Sequence, residues 1–120
     1  MTPLDALLVD MDRRRLAGDR DAALALLDAA PPAARDHPLA HYARGTLLYE
    51  LGRLPEAEAS FRAALASDPS SPDFIVNLAL VLVAEQRSDE VRPLLDSVRR
   101  EDPRAHALAA TLAHLRGLVR

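Results

Sequence analysis

The 120-residue sequence predicts an all-α protein built from stacked helical hairpins. Three observations predict it. Hydrophobic residues make up 49% of the chain, mostly Ala and Leu, and aromatics only 3%; Ala and Leu are strong helix formers. Apolar residues recur at three- and four-residue intervals between Pro and Gly breaks, the spacing of one buried helix face. The breaks also recur: Pro38 to Pro72, Pro69 to Pro103 and Gly18 to Gly52 are each 34 residues apart.

About seven helices follow in order. Thr2 caps the first, Pro3 suits its first turn, and Asp5 stands where the acid of a capping box belongs. Leu4, Leu7, Leu8 and Met11 form its stripe, and Gly18 ends it. Asp19 caps the second helix, which buries Ala23, Leu24, Leu27 and Ala30 and stops at Pro31 and Pro32. Residues 33–37 read as a connection. Pro38 begins the third helix, with Leu39, Tyr42, Leu47, Leu48 and Leu51, closed by Gly52. Pro55 starts the fourth, with Ala57, Phe61, Ala64 and Leu65, ended by Asp68 and Pro69.

Ser71 and Pro72 open the fifth helix, lined by Ile75, Leu78, Ala79 and Leu82. Its wide apolar run marks it as the most buried. The β-branched residues Ile75, Val76, Val81 and Val83 also suit a strand, but the Ser-Pro start favours helix. Ser88 caps the sixth, carrying Val91, Leu94, Leu95 and Val98; Pro93 is awkward five residues in, and either delays or kinks it. Asp102 and Pro103 begin the seventh, with Leu108, Leu112, Leu115 and Val119.

A helix–turn–helix unit repeating every ~34 residues is the tetratricopeptide period. The central unit matches that family's pattern at Gly45, Gly52, Ala57, Phe61, Ala64 and Pro69, and departs from it at His41, Arg44 and Leu48. The next unit carries Leu78, Ala79, Leu82, Val91, Leu95, Val98 and Pro103 at the same offsets; the first carries Leu7, Met11, Gly18, Ala23, Leu27 and Ala30. The chain thus resembles a single tetratricopeptide repeat domain over 1–120. Its repeats span 4–37, 38–71 and 72–105, and its capping helix covers 103–119. The resemblance implies an α-α superhelix, a solenoid whose repeats bury their apolar faces only by stacking. Small residues at Gly45, Ala79 and Ala113 would let neighbouring helices approach, as would Ala57 and Ala64, with Phe61 filling the space between. Leu78 and Leu95 belong to the same packing set.

The resemblance also implies a scaffold or adaptor that takes a peptide or helical segment of a partner in its concave groove. Carried onto this chain, the groove holds Asp5, Val9 and Asp12; Tyr42, Thr46 and Tyr49; Asp73, Asn77 and Leu80; and His114. Asn77 coincides with the asparagine that many peptide-binding relatives use on the ligand backbone. Tyr42 and Tyr49 have the character of interface anchors. The lysine-rich clamp for a terminal carboxylate is not matched: the chain has no Lys, and Arg15 and Arg44, the candidate substitutes, do not reproduce the pattern, so that ligand is not expected. A homodimer is the alternative reading, pairing apolar surface such as Val76, Leu80 and Val83.

Other classes are disfavoured. The absence of Cys excludes disulfides and thiolate chemistry. A formal charge of -3 with interspersed signs is no nucleic-acid footprint. Arg13 to Arg15 spread around a helix, which reads as a solvated face before a phosphate site. The N-terminus lacks a signal-peptide pattern, and the longest apolar run, Leu78 to Ala84, is too short to span a bilayer, so a cytoplasmic location is expected. His37 and His41 have metal-ligand spacing, but Pro38 lies between them; His106 and His114 are too far apart to share an ion. No metal, cofactor or catalytic grouping is expected, and hence no enzyme.

The repeat assignment places Ala57 at a helix–helix contact. Ala57→Arg should overpack that contact and bury a charge, and so unfold the protein or nearly so. A melting temperature within a few degrees of wild type would contradict the assignment.

Overall fold

A computed structural model describes residues 1–119; Arg120, the last residue of the expected domain, lies outside the described residues. Nine α-helices occur among them: α1 (Pro3–Leu16), α2 (Arg20–Ala29), α3 (Pro32–Arg35), α4 (Pro38–Glu50), α5 (Leu54–Ser67), α6 (Pro72–Ala84), α7 (Val91–Asp96), α8 (Pro103–Ala107) and α9 (Ala109–Leu118). A 3-10 turn, Ser88–Glu90, precedes α7. The helices stack as hairpins: α1 packs on α2, α4 on α5 and α6 on α7. Helices α1, α4, α6 and α9 are successive neighbours along one side of the stack. The whole measures 40 × 29 × 23 Å.

Local chemistry sets the helix starts. Thr2 Oγ1 accepts from Asp5 N at 3.1 Å, and Asp5 Oδ2 accepts from Thr2 N at 2.9 Å, closing a capping box. Asp19, Ser71 and Asp102 cap α2, α6 and α8 through their side chains. His37 Nδ1 accepts from Leu39 N and caps α4. Each such cap satisfies a backbone donor that the helix itself leaves unpaired.

The core runs through the stack. Ala57, Leu47, Ile75, Leu78, Ala79 and Leu82 are fully buried, with Phe61, Ala64 and Leu95 alongside. Burying Phe61 alone stabilises by roughly 1.5–3 kcal/mol. Gly45 packs directly on its ring: a Cβ at residue 45 would sit 2.6 Å from Phe61 Cε1. Helix α6 buries eight residues, Val76 among them, and its run from Phe74 to Val83 is helical throughout. Helix α1 buries only Met11, because it has a neighbouring layer on one side; Leu4, Leu7 and Leu8 stay half-buried.

Several boundaries differ from expectation. Residues 32–35 form a turn of helix instead of a plain connection, since Pro32 suits a first helical position and Arg35 N finds Pro31 O at 2.8 Å. The sixth helix does not start at Ser88. It starts at Val91 after the 3-10 turn, which puts Pro93 in the first turn, where its missing N–H costs nothing. The last helix divides at Leu108, whose backbone (φ −106, ψ 12) leaves the helical ladder. Of the expected stripe, Leu112 and Leu115 are buried and Leu108 and Val119 half-buried, with Ala105 buried before the break. Ala113 is exposed, so no close helix contact uses it. Val76 is 4% exposed and offers no surface for self-association, and Leu80 and Val83 are half-buried.

Three hairpin turns share one backbone design at a 34-residue interval. Gly18, Gly52 and Gln86 all have positive φ, at 86°, 76° and 61°. Each turn repeats the same pair of hydrogen bonds: Gly18 N to Arg15 O and Asp19 N to Arg14 O, then Gly52 N to Tyr49 O and Arg53 N to Leu48 O, then Gln86 N to Val83 O and Arg87 N to Leu82 O. This is the Schellman closure, which favours glycine at the left-handed residue. The third turn pins a side chain there instead. Arg87 braces it, with Nη1 2.6 Å from Glu58 Oε1 on α5.

A left-handed conformation costs a non-glycine residue roughly 1–2 kcal/mol, against about 0.5–1 kcal/mol of extra chain entropy for glycine. Gln86→Gly should therefore stabilise by about 0.5–1 kcal/mol and raise the thermal midpoint by a few degrees, as read by circular dichroism. A lowered midpoint would show that the Gln86 side chain contributes more than its backbone strain costs.

Candidate functional site

The 34-residue register aligns side chains across α1, α4, α6 and α9 in rows. Asp5, Leu39 and Asp73 occupy one row near the helix N-termini. Val9, Ala43, Asn77 and Thr111 occupy the next, and Asp12, Thr46, Leu80 and His114 the one after. Side-chain size varies along these rows, and that variation shapes the surface. Ala43 and Thr46 are small, whereas Leu8, Val9, Leu39 and Tyr42 are large. The result is an open cleft of about 500 Å³ between α1 and α4, lined by Leu8, Val9, Met11, Asp12, Arg15, Leu39, Tyr42, Ala43 and Thr46. Val9 and Leu39 remain 45% and 44% exposed at its edges.

Tyr42 forms the boundary between this cleft and α6. Its ring lies tilted against Phe61 and Phe74, with centroids 5.9 and 5.4 Å away. Its hydroxyl accepts from Asn77 Nδ2 at 3.3 Å, and the same Nδ2 donates to Asp73 O at 2.8 Å. Asn77 thus spends its amide N–H groups inside the protein, fixing Tyr42 and the first turn of α6. Thr46 Oγ1 donates to Tyr42 O at 3.1 Å, which turns the hydroxyl toward its own helix.

A charge cluster closes the far end of the cleft. Arg15 Nε lies 2.6 Å from Glu50 Oε1 and Nη2 3.2 Å from Oε2, a forked pair joining α1 to α4. Arg15 Nη1 also donates to Asp12 Oδ1 at 3.1 Å, and Arg20 Nη2 stands 3.5 Å from Glu50 Oε2. The hydrogen bond from Arg15 holds the Glu50 carboxyl below the usual carboxylate range, against the opposing effect of burial. Arg44 is occupied too, with Nη2 2.8 Å from Asp28 Oδ1 on α2. Both arginines considered for a carboxylate clamp are therefore paired within the fold.

The expected groove residues divide into groups. Val9, Asp12, Tyr42 and Thr46 come together around the cleft. Asp73 and Asn77 adjoin it through Tyr42. Tyr49 lies beyond the cleft near the end of α4, 38% exposed. Leu80 is half-buried on α6 and His114 exposed on α9. Leu8, Leu39, Ala43 and the Arg15–Glu50 fork were missed by sequence reasoning. The row register could have found Leu39 and Ala43, since they sit between Asp5 and Asp73 and between Val9 and Asn77. Nothing local marks Arg15 and Glu50 as partners. Burial, then the Arg44 guanidinium, lowers the proton affinity of His41. Asp102 accepts from Arg104 N at 2.9 Å and so caps α8.

Comparison with known proteins places this geometry. The family model described as "Tetratricopeptide repeat" matches residues 48–115. Tetratricopeptide repeat protein 8 of Caenorhabditis elegans is 39% identical over 56 residues, covering 47% of this chain and 11% of that protein. Among solved structures, the TPR2B-domain:pHsp70-complex of yeast Sti1 superposes with a TM-score of 0.81 at 18% identity. That match covers 93% of this chain and 91% of that one, and speaks to the fold alone.

Because Glu50 has a depressed pKa when folded, its pairing adds stability above the ordinary Glu value of about 4.3 and loses it as pH falls through the lower folded value. Glu50→Gln should lower the thermal midpoint at about pH 7 and by clearly less at about pH 3. Equal losses at both pH values would remove the ionic part of this argument.

Proposed function

The chain belongs to the tetratricopeptide repeat family, and from that premise we propose that it is a protein-interaction scaffold whose α1–α4–α6 face holds an extended or helical segment of a partner protein. The carrying observation is the open cleft between α1 and α4. Its walls are apolar and partly exposed, and it lies where successive first helices of the hairpins meet. Exposed apolar surface of this kind, set in a concavity with a few fixed polar groups, is what peptide-binding grooves share. In this reading the hairpin units are repeats 4–37, 38–71 and 72–105 with a cap over 103–119, within one domain. Tyr42, held by Asn77, forms a rigid wall of the site, and Tyr49 extends it. No helix among the described residues is long and apolar enough to cross a membrane, and the proposal retains the cytoplasmic location expected from the sequence. A binding role, and not catalysis, is what the rows of side chains support.

Self-association is the second reading. Leu16 and Leu118, toward opposite ends of the chain, are 75% and 51% exposed. A mass in solution that rises with concentration and reverts to monomer in Leu16→Gln or Leu118→Gln would favour it.

The groove reading predicts which surface matters. Protein immobilised as bait should retain partners that a Val9→Gln, Leu39→Gln double variant loses and an Ala25→Gln variant, altered on the exposed side of α2, keeps. Partners retained equally by all three baits would remove the groove from the function.

A further inference from the structure

We propose that the segment seated in the α1–α4 cleft is basic as well as apolar: a Leu-, Ile-, Met- or Phe-like side chain fills the hollow, and a neighbouring Lys or Arg reaches the rim between Asp5 and Asp73. This rests on the groove reading above and adds the chemistry of the partner.

The apolar half follows from shape. Ala43 and Thr46 leave the hollow, Leu8, Met11 and Tyr42 wall it, and Val9 and Leu39 stand partly exposed at its edge. The Thr46 hydroxyl is engaged with Tyr42 O. Of the polar groups of the cleft, Arg15 is committed to Glu50 and to Asp12 Oδ1, and the Tyr42 hydroxyl accepts from Asn77. A polar side chain would therefore find few free partners in the hollow, whereas an apolar one would remove exposed hydrocarbon from water.

The basic half follows from charge. The far end of the cleft is balanced, since Arg15 and Arg20 face Asp12 and Glu50. The near rim is not. Asp5 and Asp73 take the positions either side of Leu39 in the 34-residue register, Asp5 on α1 and Asp73 on α6 beyond Tyr42, outside the lining of the hollow itself. Asp5 is bonded to the uncharged Thr2, and among the described residues no cation pairs with either carboxylate. Each acid lies in the first turn of its own helix, where the dipole offsets part of its charge, equivalent to roughly half a unit. A net negative rim remains. It would repel an acidic or phosphorylated segment and favour a basic one in both encounter and register.

The probe is a random peptide library displayed on phage and panned against the immobilised protein. Enriched sequences are then synthesised and their Kd values read by fluorescence anisotropy. The expected winners combine a large apolar residue with Lys or Arg a few positions away. Their affinity should fall at least about tenfold in the Val9→Gln, Leu39→Gln variant. It should fall about two- to fivefold in Asp73→Asn, an effect that shrinks at high salt. Circular dichroism melts confirm that each variant is folded. Winners that depend on Val9 and Leu39 but are acidic or uncharged, and indifferent to Asp73→Asn, overturn this proposal and leave the groove reading standing. A library yielding no peptide that depends on Val9 and Leu39 overturns both.

Discussion

The contact between Gly45 and the Phe61 ring governs the central hairpin. A helix pair can approach only as closely as the side chains between them allow, and here one helix contributes a single hydrogen where the other contributes a ring. Phe61 in turn supports Tyr42, whose ring leans on both Phe61 and Phe74. The same aromatic group therefore joins α5 to α4 and α4 to α6. The spacing that buries the core also places the wall of the cleft.

Stacking proceeds through small residues inside and ion pairs outside. Ala57, Ala64 and Ala79 are completely buried at helix contacts, where any larger side chain would push layers apart. On the surface, Arg15–Glu50, Arg44–Asp28, Arg87–Glu58 and Arg104–Asp68 each bridge different helices or the residue ending one. Such exposed pairs add little individually, about 0–1 kcal/mol. Their larger effect is to occupy the arginines. A chain whose only strong cations are Arg leaves few of them free near the cleft, and the acids at its rim stand out for that reason.

Much of the helical order was legible from local signals. Thr2, Asp19, Ser71 and Asp102 announce helix starts because their short side chains suit cap geometry, and all four act as caps. Gly18 and Gly52 announce turns because they adopt positive φ. The third turn carried no such mark, since Gln86 takes the same backbone without the residue that favours it. Pro93 was readable as either a delayed start or a kink, and the structure takes the delayed start, with the 3-10 turn Ser88–Glu90 before α7; which of the two occurs depends on which residues the neighbouring helices bury. The division at Leu108 and the helical turn at 32–35 are similarly beyond periodicity.

The sequence by itself determined the class of fold and the 34-residue period, because these depend on spacing along one helix and on which small or aromatic side chains recur; of the small residues expected at helix contacts, Ala57, Ala64 and Ala79 are buried but Ala113 is exposed. Only the tertiary structure decided how the exposed face is shaped. It paired Arg15 with Glu50 across two helices, turned Asn77 inward to hold Tyr42, buried Val76, and opened a cleft where Ala43 and Thr46 fall between larger neighbours. Each of these depends on the distance between residues about 34 positions apart, which the chain cannot specify until the hairpins have stacked.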